Sequence, residues 1–260
     1  MLGIHGITAS CLSLAPVARH LGHGLAAPDL RGRGDSAGLG PPYGIDQHAA
    51  DCAQVIRRLA TGPVVVVGES MGAFVAVVLA ARFPELVTSL VLVDGGLPAP
   101  TPLAIESDAA LDALLGPALA RLRQTFDSPE AYRAFWQAHP AFAGCWSDDV
   151  VAYVDFDLVA VAGGWRSKCS EAAVRADGAA MLADPGALAA SLESVAVPVT
   201  LLRATRNLMD QPPPLIPDSL VDQWRQRVPQ LVDLVVPDTN HYSIMFGEPG
   251  VSAIAAAARQ

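Results

Sequence analysis

The stretch "VVVVGESMGAFVAVVLAARF", residues 64 to 83, constrains the fold of this chain more than any other. Val64 to Val67 is apolar and β-branched at every position, as a strand buried on both faces of a parallel sheet must be. Met71 to Phe83 is apolar nearly all round, the pattern of a helix inside a core. Gly68 ends the strand. Ser70 therefore falls at a sharp strand-to-helix turn, boxed between Gly68 and Gly72.

The surrounding chain repeats this grammar. Short apolar segments at Leu2 to His5, Gly24 to Ala27, Val64 to Val67 and Leu90 to Val93 alternate with helical ones, which predicts βαβ units and a parallel sheet. Residues 97 to 190 differ. There "SDAALDALLGPALARLRQTF", "SPEAYRAFWQAHPAF", "SDDVVAYVDFDLVAVAGG" and "SKCSEAAVRADGAAML" each open on serine and read as helices, with no strand among them. Strands resume at "PVTLL" (198 to 202) and "LVDLVV" (231 to 236), so the expected division is a core of residues 1–96 and 191–260 with a helical cap, 97–190, inserted into one sheet of six strands. "DQPPPLIP", residues 210 to 217, carries four prolines and predicts an ordered, extended loop.

Composition excludes several function classes. At 260 residues the chain can bury a core without covalent staples. The net charge is −9, with Lys168 the only lysine beside sixteen arginines, and no basic cluster could follow a phosphate backbone, so no nucleic-acid partner is expected. No apolar run approaches the roughly 20 residues that span a bilayer. Cys11, Cys52, Cys145 and Cys169 lack paired spacing, and the opening "MLGIHG" is unlike a signal sequence, so reduced thiols and a cytoplasmic setting are expected. Metal-binding patterns and a Gly-rich phosphate loop are absent too, and no cofactor or metal is implied.

"GESMG", residues 68 to 72, is a nucleophile-elbow pattern. A serine hydroxyl is a weak nucleophile at neutral pH, so Ser70 demands a base and a third group to orient that base. Of six histidines only His241, in "VVPDTNHYSI", follows the last predicted strand, where a loop could fold the imidazole back over Ser70. His20, His23, His48 and His139 fit surface or structural roles.

Taken together, "GIHGITAS" at 3 to 10, "APDLRGRGDSAG" at 27 to 38, "GESMGA" at 68 to 73, "LVLVDGG" at 90 to 96, "PVTLLRA" at 198 to 204 and "PDTNHYSI" at 237 to 244 resemble the α/β-hydrolase superfamily over nearly the whole chain. The resemblance implies an α/β-hydrolase fold in which Ser70 is nucleophile, His241 is general base and acid, and the backbone N–H groups of Ile7 and Met71 form an oxyanion hole. The usual two strands before the "HG" strand are missing from this sequence, which leaves Gly24 to Ala27 on a sheet edge and predicts homodimerisation through that edge, or aggregation. The acid departs from the commonest pattern: aligning "LLRATRNLMD" puts Asn207 where an aspartate is expected. Asp94, at the tip of a strand beside the serine-bearing one, is favoured by geometry, because neighbouring strands lie about 4.8 Å apart and a strand tip is well fixed. Asp210 is the alternative. Asp29, Arg31 and Asp35 of "DLRGRGDS" are expected to hold their own loop, with no adhesion role for the RGD triplet, and His5 is expected to brace the oxyanion loop.

The function implied is hydrolysis of small apolar esters or lactones through an acyl-enzyme. Other reactions on the same triad remain open, namely hydroxynitrile lyase, perhydrolase or thioesterase chemistry, as does a ligand sensor with little turnover. Dehalogenase and epoxide hydrolase chemistry is disfavoured, since both need an aspartate where Ser70 stands. Nine aromatic residues of the cap, among them Tyr132, Trp136, Phe142 and Tyr153, are expected mainly to form its core.

Overall fold

The computed structural model describes residues 1–22, 24–99, 116 and 118–260. Five parallel strands form the main sheet: β1 (Leu2–Ile4), β2 (Val64–Glu69), β3 (Val87–Val93), β6 (Val199–Arg206) and β7 (Leu231–Asn240), in the order β1-β2-β3-β6-β7. The all-apolar strands follow from cover on both faces. Along β2 and β3, Val66, Leu90 and Leu92 enter one hydrophobic cluster, while Val67, Val91 and Val93 enter the other. The first cluster includes residues of the helices Ile45–Leu59, Met71–Arg82 and Asp218–Arg227. The second includes those of Ala15–Leu21 and Glu248–Ala258. Alternate side chains of a strand point to opposite faces, so a strand covered twice has no polar position to spare.

The sixth strand expected over Gly24 to Ala27 is not formed. That segment contributes one bridge, Leu2↔Ala26, held by Gly3 N–H to Ala26 O (2.8 Å) and Ala26 N–H to Met1 O (3.0 Å). Two glycines in the short "GHG" approach, Gly22 and Gly24, take positive φ of 74° and 45°, so the chain bends where a strand would need to extend. The opposite edge is β7, where Val232, Leu234 and Val235 are exposed.

The middle block also departs from expectation. "SDDVVAYVDFDLVAVAGG" is not one helix: helix Asp148–Phe156 is followed by a two-stranded antiparallel hairpin, β4 (Leu158–Val161) and β5 (Gly164–Ser167). Gly163 and Gly164, at φ 86° and 144°, supply the turn. Helix Pro129–Gln137 forms inside its expected segment, capped by Ser128, which accepts the N–H of Ala131 (3.2 Å); helix Glu171–Ala183 starts later than expected, because Ser167 ends β5 and Ser170 is the residue that accepts the N–H of Ala173 (3.3 Å). The helix expected from residue 107 lies mostly outside the described residues; 118–122 are helical. Helix Pro185–Ser194 sits on Met71–Arg82, with Leu188 and Leu192 in the first cluster. Residues 210–217 form the expected irregular loop.

Candidate active site

Ser70 occupies the turn between β2 and helix Met71–Arg82 with φ 54° and ψ −118°, a conformation non-glycine residues rarely adopt. Its N–H donates to Val93 O (2.9 Å), tying the turn to the end of β3. The two boxing glycines are demanded by contact as well as by curvature. A Cβ on Gly68 would lie 2.3 Å from Gly72 O, and one on Gly72 would lie 2.1 Å from Ile4 O. The helix and the first two strands thus meet at backbone distance, leaving no room for any side chain there.

Asp94 follows β3 immediately and also holds a positive φ, 45°. Its N–H donates to Leu202 O (2.8 Å) and its Oδ1 accepts the Ala204 N–H (3.1 Å), so β6 fixes both backbone and carboxylate. Oδ2 lies 2.7 Å from His241 Nδ1. A carboxylate can only accept, which places the proton on Nδ1 and leaves Nε2 as a free base. Burial, the largest influence, pulls the His241 pKa down; the hydrogen bond and charge of Asp94, aided by Glu69, outweigh it and raise the pKa above its ordinary 6.5.

His241 stands in a turn that Asn240 builds. Asn240 Oδ1 accepts the N–H groups of Tyr242 and Ser243 (2.9 and 2.8 Å), and its Nδ2 donates to Ala141 O and Asp210 Oδ1 (3.0 and 2.9 Å). Asp210 thereby braces the loop, also accepting from Arg206 Nε (2.6 Å), and does not reach His241. Asn207 makes a local turn, its Oδ1 accepting from the N–H of Met209 and Gln211 (2.9 and 3.2 Å). Of the two candidate acids, the structure brings Asp94 to the imidazole.

Ile7 lies in the turn after β1, and Met71 is the first residue of its helix, where the N–H has no partner within the helix. The Ile7 turn is anchored from beneath. Fully buried Arg33 donates Nε to Ile7 O (3.0 Å) and pairs with buried Asp177 (2.5 Å), which also meets His48 Nε2 (3.0 Å) and the Gly44 N–H (2.6 Å). Buried His5 accepts the Leu30 N–H at Nε2 (2.9 Å), so its Nδ1 carries the proton and donates to Gly6 O (2.8 Å). Burial, above all, lowers its pKa to about 4, and the ring braces the loop as a neutral group. Asp29 holds its loop through the N–H groups of Cys11 and Asp35 (2.8 and 2.9 Å), whereas Arg31 reaches out to Asp51 and Asp35 to Lys168.

Glu69, which no sequence motif marks for a role, is the unexpected member of the site. It is 6% exposed, with Oε1 3.5 Å from His241 Nε2. Two cavities meet at Ser70 and His241. A narrow one of about 50 Å³ is bordered by Gly6, Ile7, Glu69, Tyr153 and Tyr242. A wide one of about 370 Å³ is walled by Phe74, Leu97, Met181, Leu182, Leu215 and Ile216. Of the aromatic residues between positions 97 and 190, Tyr132, Trp136, Phe142 and Tyr153 are buried in the second cluster, and Tyr153 also faces the narrow cavity.

Residues 1–140 match the alpha/beta hydrolase fold family. Over 244 residues the chain is 30% identical to 2-(acetamidomethylene)succinate hydrolase of Mesorhizobium japonicum, covering 93% of this chain and 81% of that enzyme. The chain belongs to the alpha/beta hydrolase family. A crystal structure of E-2-(acetamidomethylene)succinate hydrolase superposes on this hydrolase with a TM-score of 0.82 at 28% identity, over 100% of this chain and 91% of that one. Esterase Rv0045c of Mycobacterium tuberculosis is 38% identical over 111 residues, 42% of this chain and 36% of the esterase. Its crystal structure shares the fold at a TM-score of 0.74, with 23% identity over 100% of this chain and 84% of that one. Among the described residues of this hydrolase no helix is long and apolar enough to cross a membrane.

Proposed function

We propose that this hydrolase cleaves carboxylic esters or lactones of small, apolar molecules through an acyl-enzyme on Ser70. The observation that carries the reading is the 2.7 Å bond between Asp94 and His241 beside a strained Ser70 that borders both cavities. His241 Nε2 takes the Ser70 proton as Oγ attacks the carbonyl, Asp94 steadies the resulting imidazolium, and the same nitrogen passes the proton to the leaving alcohol. Water then enters, loses its proton to His241 and releases the acid. The N–H groups of Ile7 and Met71 would hold the oxyanion, such donors being worth about 10²–10³ each in turnover.

The wide cavity, lined by aliphatic side chains with Phe74, suits an apolar half of the substrate. No lysine or arginine among the described residues borders either cavity. That favours a neutral substrate over one like the succinate named for the 30% identical relative. In this reading residues 97–190 act as the cap over a core of 1–96 and 191–260. Steady-state hydrolysis of an ester chain-length series is the test: wild type turns over and Ser70→Ala loses nearly all activity, whereas a Ser70→Ala enzyme near wild-type rate contradicts the proposal.

A further inference from the structure

Glu69 is held where no ester hydrolysis of the kind proposed above requires a charge. It ends β2 next to Ser70, so its backbone cannot move without the elbow moving. Its side chain lies against the Ile7 turn, where a Cβ on Gly6 would come 2.6 Å from Oε2. That close approach keeps the carboxyl pinned between the turn and the imidazole, as one wall of the narrow cavity. We propose that Glu69 is a specificity-determining residue, reserving the narrow cavity for an uncharged or cationic acyl end and closing it to acyl groups that end in a carboxylate.

The groups facing Glu69 offer an incoming carboxylate no fixed positive charge. Among the described residues His241, when protonated, is its only cationic neighbour, and Asp94 shares that histidine from the other side. Tyr153 and Tyr242, across the cavity, have hydroxyl pKa values raised first by burial, so they stay neutral and bring no positive charge. Burial raises the Glu69 pKa as well, against the opposing pull of His241 and the Gly6 N–H. An acyl carboxylate entering the cavity meets a like charge at short range or must arrive with a proton that the two groups share. At alkaline pH that proton becomes tenfold scarcer per pH unit, and the attraction that could compensate, an arginine or lysine, borders the cavity nowhere among the described residues.

The inference rests on the proposed ester hydrolysis, and the test separates the two. At pH 8, kcat/KM is measured for hexyl hydrogen succinate and its neutral isostere hexyl succinamate, whose hexyl halves belong in the wide cavity. A control pair, 6-acetoxyhexanoate and 6-acetoxyhexanamide, carries the charge at the far end of the large half. Wild type should favour the succinamate by about 100-fold, Glu69→Gln should narrow that preference at least tenfold, and the control ratio should stay within about twofold. A merely structural glutamate would change all four substrates alike. An unchanged succinate preference in Glu69→Gln, or an equal change in the control pair, overturns the inference. Should Glu69→Gln not fold, wild type decides alone: hexyl 3-aminopropanoate, a cation at pH below its amine pKa, should outrun the hydrogen succinate, and equal rates contradict the claim. Ser70-dependent hydrolysis without charge preference sinks this inference only, while hydrolysis that survives Ser70→Ala sinks the reading beneath it.

Discussion

His241 Nδ1 stands 2.7 Å from Asp94 Oδ2, although 147 positions of sequence separate them. The pairing works because each end is fixed independently, Asp94 by β6 through the Ala204 N–H and His241 by the turn Asn240 builds. A carboxylate that waits in place costs nothing to orient when the imidazole becomes charged, the condition for electrostatic stabilisation without reorganisation.

The first prediction concerns pH. In its proposed role of base His241 must be neutral, and its pKa lies above 6.5, so kcat/KM of wild type should fall as pH drops through a value above 6.5. Asp94→Asn removes two of the influences that raise this pKa and leaves burial to lower it. The acid limb should move to lower pH while kcat falls by up to about 10⁴, as for loss of the orienting acid in other triads. Rate profiles from pH 5 to 9 check both, and an unmoved acid limb would count against the assignment.

Asp210 should behave otherwise. It braces Arg206 and Asn240 in a half-buried position, so Asp210→Asn should keep kcat within roughly tenfold and lower stability by about 1 kcal/mol or less. A loss of activity equal to that of Asp94→Asn would transfer the acid role to Asp210.

His5 makes folding stability pH-dependent. Its pKa of about 4 in the folded protein lies below the ordinary 6.5, so protons bind preferentially to the unfolded chain between those values. The contribution is complete above pH 6.5 and is lost as pH falls from 6.5 to about 4, amounting to roughly 3 kcal/mol over that window. His5→Gln can still accept the Leu30 N–H but cannot titrate. Denaturant melts across this range should show a shallower acid loss in His5→Gln than in wild type; equal slopes would refute the linkage.

Association of two copies through the sheet edge at residues 24–27 stays a proposal. The one bridge at Ala26 occupies part of that edge. Light scattering after gel filtration reads the outcome: a dimer that dissociates on Leu25→Lys supports pairing there, and a monodisperse monomer contradicts it.

Much of this architecture was legible where a local pattern has a single physical solution. Val64 to Val67 can serve only as a strand covered twice, and glycines at 68 and 72 admit only a backbone contact that side chains would block. The pattern is ambiguous where short apolar segments suit either helix or strand. "LVAV" at 158 to 161 continues the preceding helical pattern in sequence, although the Gly163-Gly164 pair marks the turn that makes it a hairpin. The roles of Glu69, Arg33 and Asn240 escape local sequence patterns because they depend on partners far away in sequence: His241, Asp177 and Ala141 respectively. For Asn240 a signal existed, since an asparagine beside the histidine is a turn former that bonds the backbone two residues on.

The most direct test of the central claim is rapid-quench mass spectrometry of the intact protein mixed with excess p-nitrophenyl butyrate, followed by peptide mapping. The account predicts a butyryl adduct on Ser70 that forms within the first turnover, decays as substrate is exhausted, and is absent from Ser70→Ala. Rapid turnover by wild type with no adduct, or an adduct carried by another residue, would contradict it.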